Sequence, residues 1–189
     1  ALCSRTGRVC GRLLILRGKL GYFLCNTLPQ EHPTPSGIPG SPAGRPQCSV
    51  AQGKLQGHAQ HPEEYRGKKF PGLPYTAWQL LEHMRLAQWD ILEFSRNPKY
   101  ESMNWPDDYW PKEEEPPEKD SWDNSVKLFL RDLKDMQALV KNPSVNLYSK
   151  IPHGSGQNIL REALLVADHN AYHLGEMVLL RKVFGIWIR

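Results

Sequence analysis

Asp168-His169-Asn170-Ala171-Tyr172-His173-Leu174-Gly175-Glu176 is the stretch on which the reading of this chain turns. Its two histidines are four residues apart, so on a helix they stand one turn above each other on one face. At 100° per residue that face continues through Glu162, Leu165, Val166, Glu176, Met177 and Leu180. Two imidazoles and two carboxylates therefore share an otherwise apolar stripe. Leu160, Leu164, Ala167, Ala171, Leu174 and Val178 form a second stripe on the back. A helix over 158–184 that is apolar on two opposite sides is expected to be buried on both. Polar groups are costly there unless they are paired or bind a metal.

Working outward, Ile151-Pro152-His153-Gly154-Ser155-Gly156 is a turn into this helix, and His153 in it reads as a surface residue. Trp122, Val126, Phe129, Leu133, Met136 and Val140 recur at three-and-four spacing, which predicts a core helix over 122–140 with Ser121 as its N-cap. Thr76 followed by Gln79 has the form of a capping box, opening a helix over 77–95 that Asn97-Pro98 stops. His83 lies on that helix, with Leu80, Ala87, Asp90 and Phe94 along its face. A lone histidine on an apolar face is usually a hydrogen-bonded core residue, but Asp90 two turns on suggests a shared polar pocket. Between these helices, residues 97–120 interleave Tyr100, Trp105, Tyr109 and Trp110 with five prolines. A loop this long and aromatic reads either as a segment draped over the bundle or as a wall of a pocket. The expected fold is an all-α bundle of antiparallel type.

The formal charge of +4 on 189 residues belongs to the front of the chain. Residues 1–70 carry ten Lys/Arg against three Asp/Glu, whereas residues 71–189 carry fourteen against seventeen. That distribution argues against a nucleic-acid surface on the helical part. All four cysteines (Cys3, Cys10, Cys25 and Cys48) also lie in the front, so the Cys-free remainder fits a reducing, cytoplasmic compartment. The best apolar run, Leu13 to Leu16, is cut off by Arg17 and Lys19 and is too short to span a membrane. Residues 1–60 read as a low-complexity segment, with Pro, Gly, Ser and Gln dominating 26–57 and Gly interrupting a marginal helical pattern before it. The helical domain is expected over 61–189. A chain that opens on Ala1 is expected to be a fragment or a processed product.

His83, His169 and His173 converge if the 77–95 and 158–184 helices face each other, and three histidines with open positions are a common catalytic zinc set. The metalloprotease pattern is excluded because Asn170, not glutamate, follows His169. Trp78-Gln79-Leu80-Leu81-Glu82-His83, the aromatic–proline loop, and His169 to Glu176 followed by Leu180-Arg181 together resemble the DinB/YfiT-like superfamily of four-helix bundles. The resemblance runs from Pro74 to Trp187. It implies that His83, His169 and His173 hold one divalent metal, zinc or nickel; some members are transferases that depend on a low-molecular-weight thiol, or a related isomerase, and many have no assigned activity. The family's first helix has no clear counterpart in residues 1–60, which leaves an apolar face to be covered, and a homodimer is one way to cover it.

Glu162, Glu176 and Asp90 are then candidates to orient the ligands or move protons, and Trp105, Tyr109 and Trp110 are candidates to line a small-molecule substrate site. Three functions remain open: a metal-dependent transferase or hydrolase using a thiol or water nucleophile, a bundle merely stapled by metal, and an interaction module.

Overall fold

The computed structural model describes residues 61–187. The expectations for residues 1–60 lie outside the described residues. Among the described residues four helices follow one another: α1 (Glu63–Arg66), α2 (Ala77–Arg96), α3 (Ser121–Lys141) and α4 (Ile159–Val183), with a 3₁₀ turn at Asp107–Tyr109 before α3. No strand occurs among the described residues, only an isolated bridge between Lys150 and Asn158. The fold is all-α.

Each long helix starts and stops for a local reason. The Thr76 hydroxyl accepts from the Gln79 N–H while the Gln79 side chain accepts from the Thr76 N–H, the capping box expected from the sequence. Asn158 Oδ1 caps α4 by accepting from the Arg161 N–H at 2.8 Å. At the far end of α4, Gly185 has φ 72°, Ile186 N–H reaches back to the Arg181 carbonyl and Gly185 N–H to that of Lys182. That pairing closes the helix with a left-handed residue, a conformation that costs glycine least. α3 differs from expectation. Its N-cap is Asp120, and Ser121 is already helical, its hydroxyl accepting from the Glu118 N–H.

α2 packs against both α3 and α4. Side-chain bonds join Glu82 to Ser125, Gln88 to Phe129 and Arg96 to Asp135, so α2 and α3 run parallel. α4 runs against them: Leu80 and Leu180 share one apolar cluster, Ile91 and Ala163 another. The antiparallel arrangement expected from sequence thus holds for α4 alone. The reason is the connection at 97–120: a helix of 20 residues is about 30 Å long, and this loop has enough chain to return that distance.

The core is divided. One cluster gathers Leu92, Leu133, Met136, Ile159 and Val166; the other gathers Trp78, Leu80, Trp122, Met177 and Leu180. Leu80, Leu92 and Leu180 are buried, each stabilising the fold by about 1.5–3 kcal/mol. Between the clusters lies a belt of buried polar side chains from all three helices: Glu82, His83 and Gln88 on α2, Ser125 on α3, and His173 on α4. The site is this belt.

The back of α4 departs from expectation. Ala167 is buried, but Leu160, Leu164, Ala171, Leu174 and Val178 are only half-buried, and Leu165, assigned to the inner face, is 40% exposed. A 100° count places Leu165 at the margin of the inner face, where the packed neighbours end.

Candidate metal centre

His83 comes from the middle of α2, and His169 and His173 from consecutive turns of α4; the antiparallel packing of these two helices brings all three rings together. His83 Nε2 lies 3.1 Å from His173 Nε2 and 3.2 Å from His169 Nε2. His83 and His173 are buried and His169 half-buried. Among the described residues this is the one group of three or more His, Cys, Asp or Glu side chains arranged to hold a metal ion.

The outer nitrogens show which protons the rings carry. His83 Nδ1 faces the Tyr109 carbonyl at 3.0 Å, and His173 Nδ1 faces Glu176 Oε2 at 2.7 Å. A carbonyl and a carboxylate accept, so both Nδ1 atoms donate. Neutral rings then place two bare Nε2 lone pairs 3.1 Å apart, a repulsive arrangement that a cation between them reverses. Burial keeps His83 and His169 neutral. It lowers the pKa of His83, opposed by the Tyr109 carbonyl, and it pushes His169 down to about 4, aided by its two histidine neighbours.

The spacing also suits a metal. Three nitrogens about 2.0–2.1 Å from one ion at tetrahedral angles stand about 3.3 Å apart, and at right angles about 2.9 Å. The observed 3.1 and 3.2 Å lie between these limits.

Around the rings the fold builds a support. Glu176 accepts from His173 and has the phenols of Tyr75 and Tyr172 beside it, and Tyr75, desolvated next to this carboxylate, has its pKa raised to about 12. Trp110 stacks on His83 with centroids 3.9 Å apart and planes 6° from parallel, and Tyr75 stacks on Trp110 in turn. The loop is therefore a wall of the site. It is held by Gln79 Nε2 donating to the Pro111 carbonyl and by the Thr76 hydroxyl donating to that of Glu114.

The other residues singled out from sequence fall in different places. Asp90 does not touch the histidines; it accepts the Tyr100 hydroxyl, lies beside that of Tyr109 and so anchors the segment whose carbonyl holds His83. Glu162 is buried but pairs with Arg161, and it leaves His169 Nδ1 without a hydrogen-bond partner. Two turns of helix put Glu162 beside Ile159 and Ala163 at the end of the bundle away from Glu176, beyond reach of the rings. Trp105 is 71% exposed and touches Tyr109 by its edge. His153 is exposed and donates to the Phe94 carbonyl. Sequence reasoning passed over Tyr75, Tyr172 and Gln88. Tyr75 and Tyr172 sit off the helical stripes it followed, although Tyr172 lies between the two histidines.

The chain matches no family model, no curated protein and no solved structure. No helix among the described residues is long and apolar enough to cross a membrane.

Proposed function

We propose that this protein is a divalent-metal protein of the DinB/YfiT bundle type, working as a metal-dependent transferase or hydrolase on a small molecule. One observation carries the proposal: the lone pairs of His83 and His173 face each other at 3.1 Å, with their Nδ1 protons committed elsewhere and His169 Nε2 alongside. His83, His169 and His173 would hold the ion. A bound zinc or nickel ion supplies charge that lowers the pKa of a thiol or water nucleophile.

The chain's own residues have definite parts in this reading. Tyr109 and Glu176 fix the rings of His83 and His173 and so orient their Nε2 atoms. Trp110 shields His83 from water on one face. Glu176, with two phenols beside it, is the carboxylate placed to take or return a proton beside the rings. Asp90 positions the loop, and Glu162 has no part. A cytoplasmic setting and a homodimer through the exposed side of α4 belong to the same proposal, supported by the Cys-free helical region and by Leu165, Tyr172 and Leu179.

A second reading, a bundle stapled by metal without catalysis, is favoured by the burial of His83 and His173. The test is elemental analysis of purified protein, followed by a screen of low-molecular-weight thiols with electrophilic acceptors. Bound zinc or nickel at one per chain with thiol-dependent turnover is the expected result. Metal without turnover selects the staple, and absence of stoichiometric metal overturns both.

A further inference from the structure

His169 differs from its two partners. Its Nδ1 is buried and has no hydrogen-bond partner, whereas the other two rings are held by a carbonyl and a carboxylate. The next residue shows the complementary lack: Asn170 Oδ1 is buried without a partner. The Asn170 amide is the side chain next to His169 and acts on it in the sense expected of an acceptor, although the two do not form a hydrogen bond.

The orientation of that amide is dictated from a distance. The Phe129 carbonyl on α3 can only accept, and Gln88 Nε2 lies 2.6 Å from it. Gln88 must therefore turn its NH₂ toward α3 and its Oε1 toward α4. Oε1 can only accept, so Asn170 must present its own NH₂ to it, at 2.7 Å. Asn170 Oδ1 is then left as the group available to His169. Gln88 is fully buried, so water does not compete for these bonds.

We propose that Phe129, Gln88 and Asn170 form a polarity relay that sets the tautomer of His169, holding its proton on Nδ1 and leaving Nε2 bare to bind a metal. The relay rests on the metal-centre reading for its purpose, but its effect on the tautomer exists in the metal-free chain. Gln88 and Asn170 are positioning residues: neither contributes an atom to the cluster of Nε2 nitrogens. The competing arrangement is a His169 with its proton on Nε2, donating to His83 Nε2 at 3.2 Å and occupying the lone pair a metal needs.

Long-range ¹H–¹⁵N correlation spectra of the full chain, stripped of metal, read the tautomer directly. In the wild type His169 is expected to carry its proton on Nδ1. Gln88→Met touches no histidine, yet it frees Asn170 to turn its NH₂ toward the ring, and His169 is expected to shift toward the Nε2–H form. Adding Asn170→Asp to Gln88→Met is expected to restore the Nδ1–H form, because a carboxylate has no donor on either oxygen. Zinc affinity, measured by competition with a chromophoric chelator, should fall about 10- to 100-fold in Gln88→Met and recover in the double variant.

A wild-type His169 already in the Nε2–H form, or one unmoved by Gln88→Met, overturns the relay. If Gln88→Met fails to fold, Asn170→Leu asks the same question, and an unchanged tautomer there has the same consequence. Wild-type protein that binds no zinc but follows the tautomer pattern would remove the metal function and leave the relay standing.

Discussion

His83 and His173 can each make two directed bonds, and the fold has used the outer nitrogen of both to point the inner one at a common centre. Replacing His169 or His173 by Ala is therefore expected to abolish stoichiometric zinc binding, whereas His153→Ala, on an exposed ring tied to Phe94, should bind as the wild type does. Equilibrium dialysis with metal analysis checks both. Burial also sets a pH dependence. His61 and His169 are each depressed to about 4 from 6.5, His61 chiefly by desolvation and then by Arg181 and Arg66. Between those values the unfolded chain binds protons that the folded chain refuses, so stability falls as pH drops from 6.5 toward 4 and levels off below. The effect per ring is roughly 1–3 kcal/mol after allowance for solvent screening. Urea midpoints of metal-stripped protein at pH 7, 5.5 and 4.5 should decrease in that order, and a flat profile would refute the burial argument.

At the scale of elements, the 97–110 segment behaves as part of α2 because Asp90 accepts the Tyr100 hydroxyl beside Tyr109 and Trp110 lies flat on His83. Asp90→Ala leaves the Tyr100 hydroxyl without its acceptor and removes the carboxylate beside Tyr109. It is expected to cost about 1–3 kcal/mol and to speed proteolytic cleavage within 97–110, with zinc binding weakened through Tyr109. Mass mapping of early cleavage sites decides this, and cleavage confined to other segments would contradict it. Thr76→Ala removes both the helix cap and the bond to Glu114, and a loss of at least about 1 kcal/mol in thermal unfolding is expected. The α2 start was legible because a capping box is a local pattern, with every partner inside four residues. The α3 start was not: Ser121 has the cap's chemistry, but its hydroxyl turns back to Glu118. Glu162 misled for a related reason. Helical spacing tells which face a carboxylate occupies but not how far along the axis its partner lies, and Arg161 next door was closer than His169.

On the scale of the whole molecule, a stripe of apolar residues carries no direction, which is why the parallel run of α2 and α3 could not be read from their periodicity. The two apolar clusters with a polar belt between them do follow from sequence once that direction is known. Trp78 and Trp122 open their helices, Leu92 and Val140 close theirs, and the polar positions fall between. What this packing leaves over is the outer side of α4, where Leu165, Tyr172, Leu179 and Val183 are 40%, 64%, 48% and 38% exposed. Leu165, Tyr172 and Leu179 follow at intervals of seven, so they line one edge of the helix two turns apart. An antiparallel pairing of two α4 helices about Tyr172 would set Leu165 of one copy against Leu179 of the other, a self-complementary contact of the kind two-fold dimers use. The Tyr172 ring stands 4.8 Å from the His173 ring and beside Glu176, so the same contact would cover the exposed edge of the histidine cluster. The full chain is therefore expected to sediment as a dimer at micromolar concentration. Leu165→Glu together with Leu179→Glu should give a monomer with unchanged helical circular dichroism and unchanged zinc stoichiometry, since neither residue reaches the belt. A wild type that sediments as a folded monomer at high concentration would rule this dimer out, and the histidine cluster would then remain open to solvent along Tyr172.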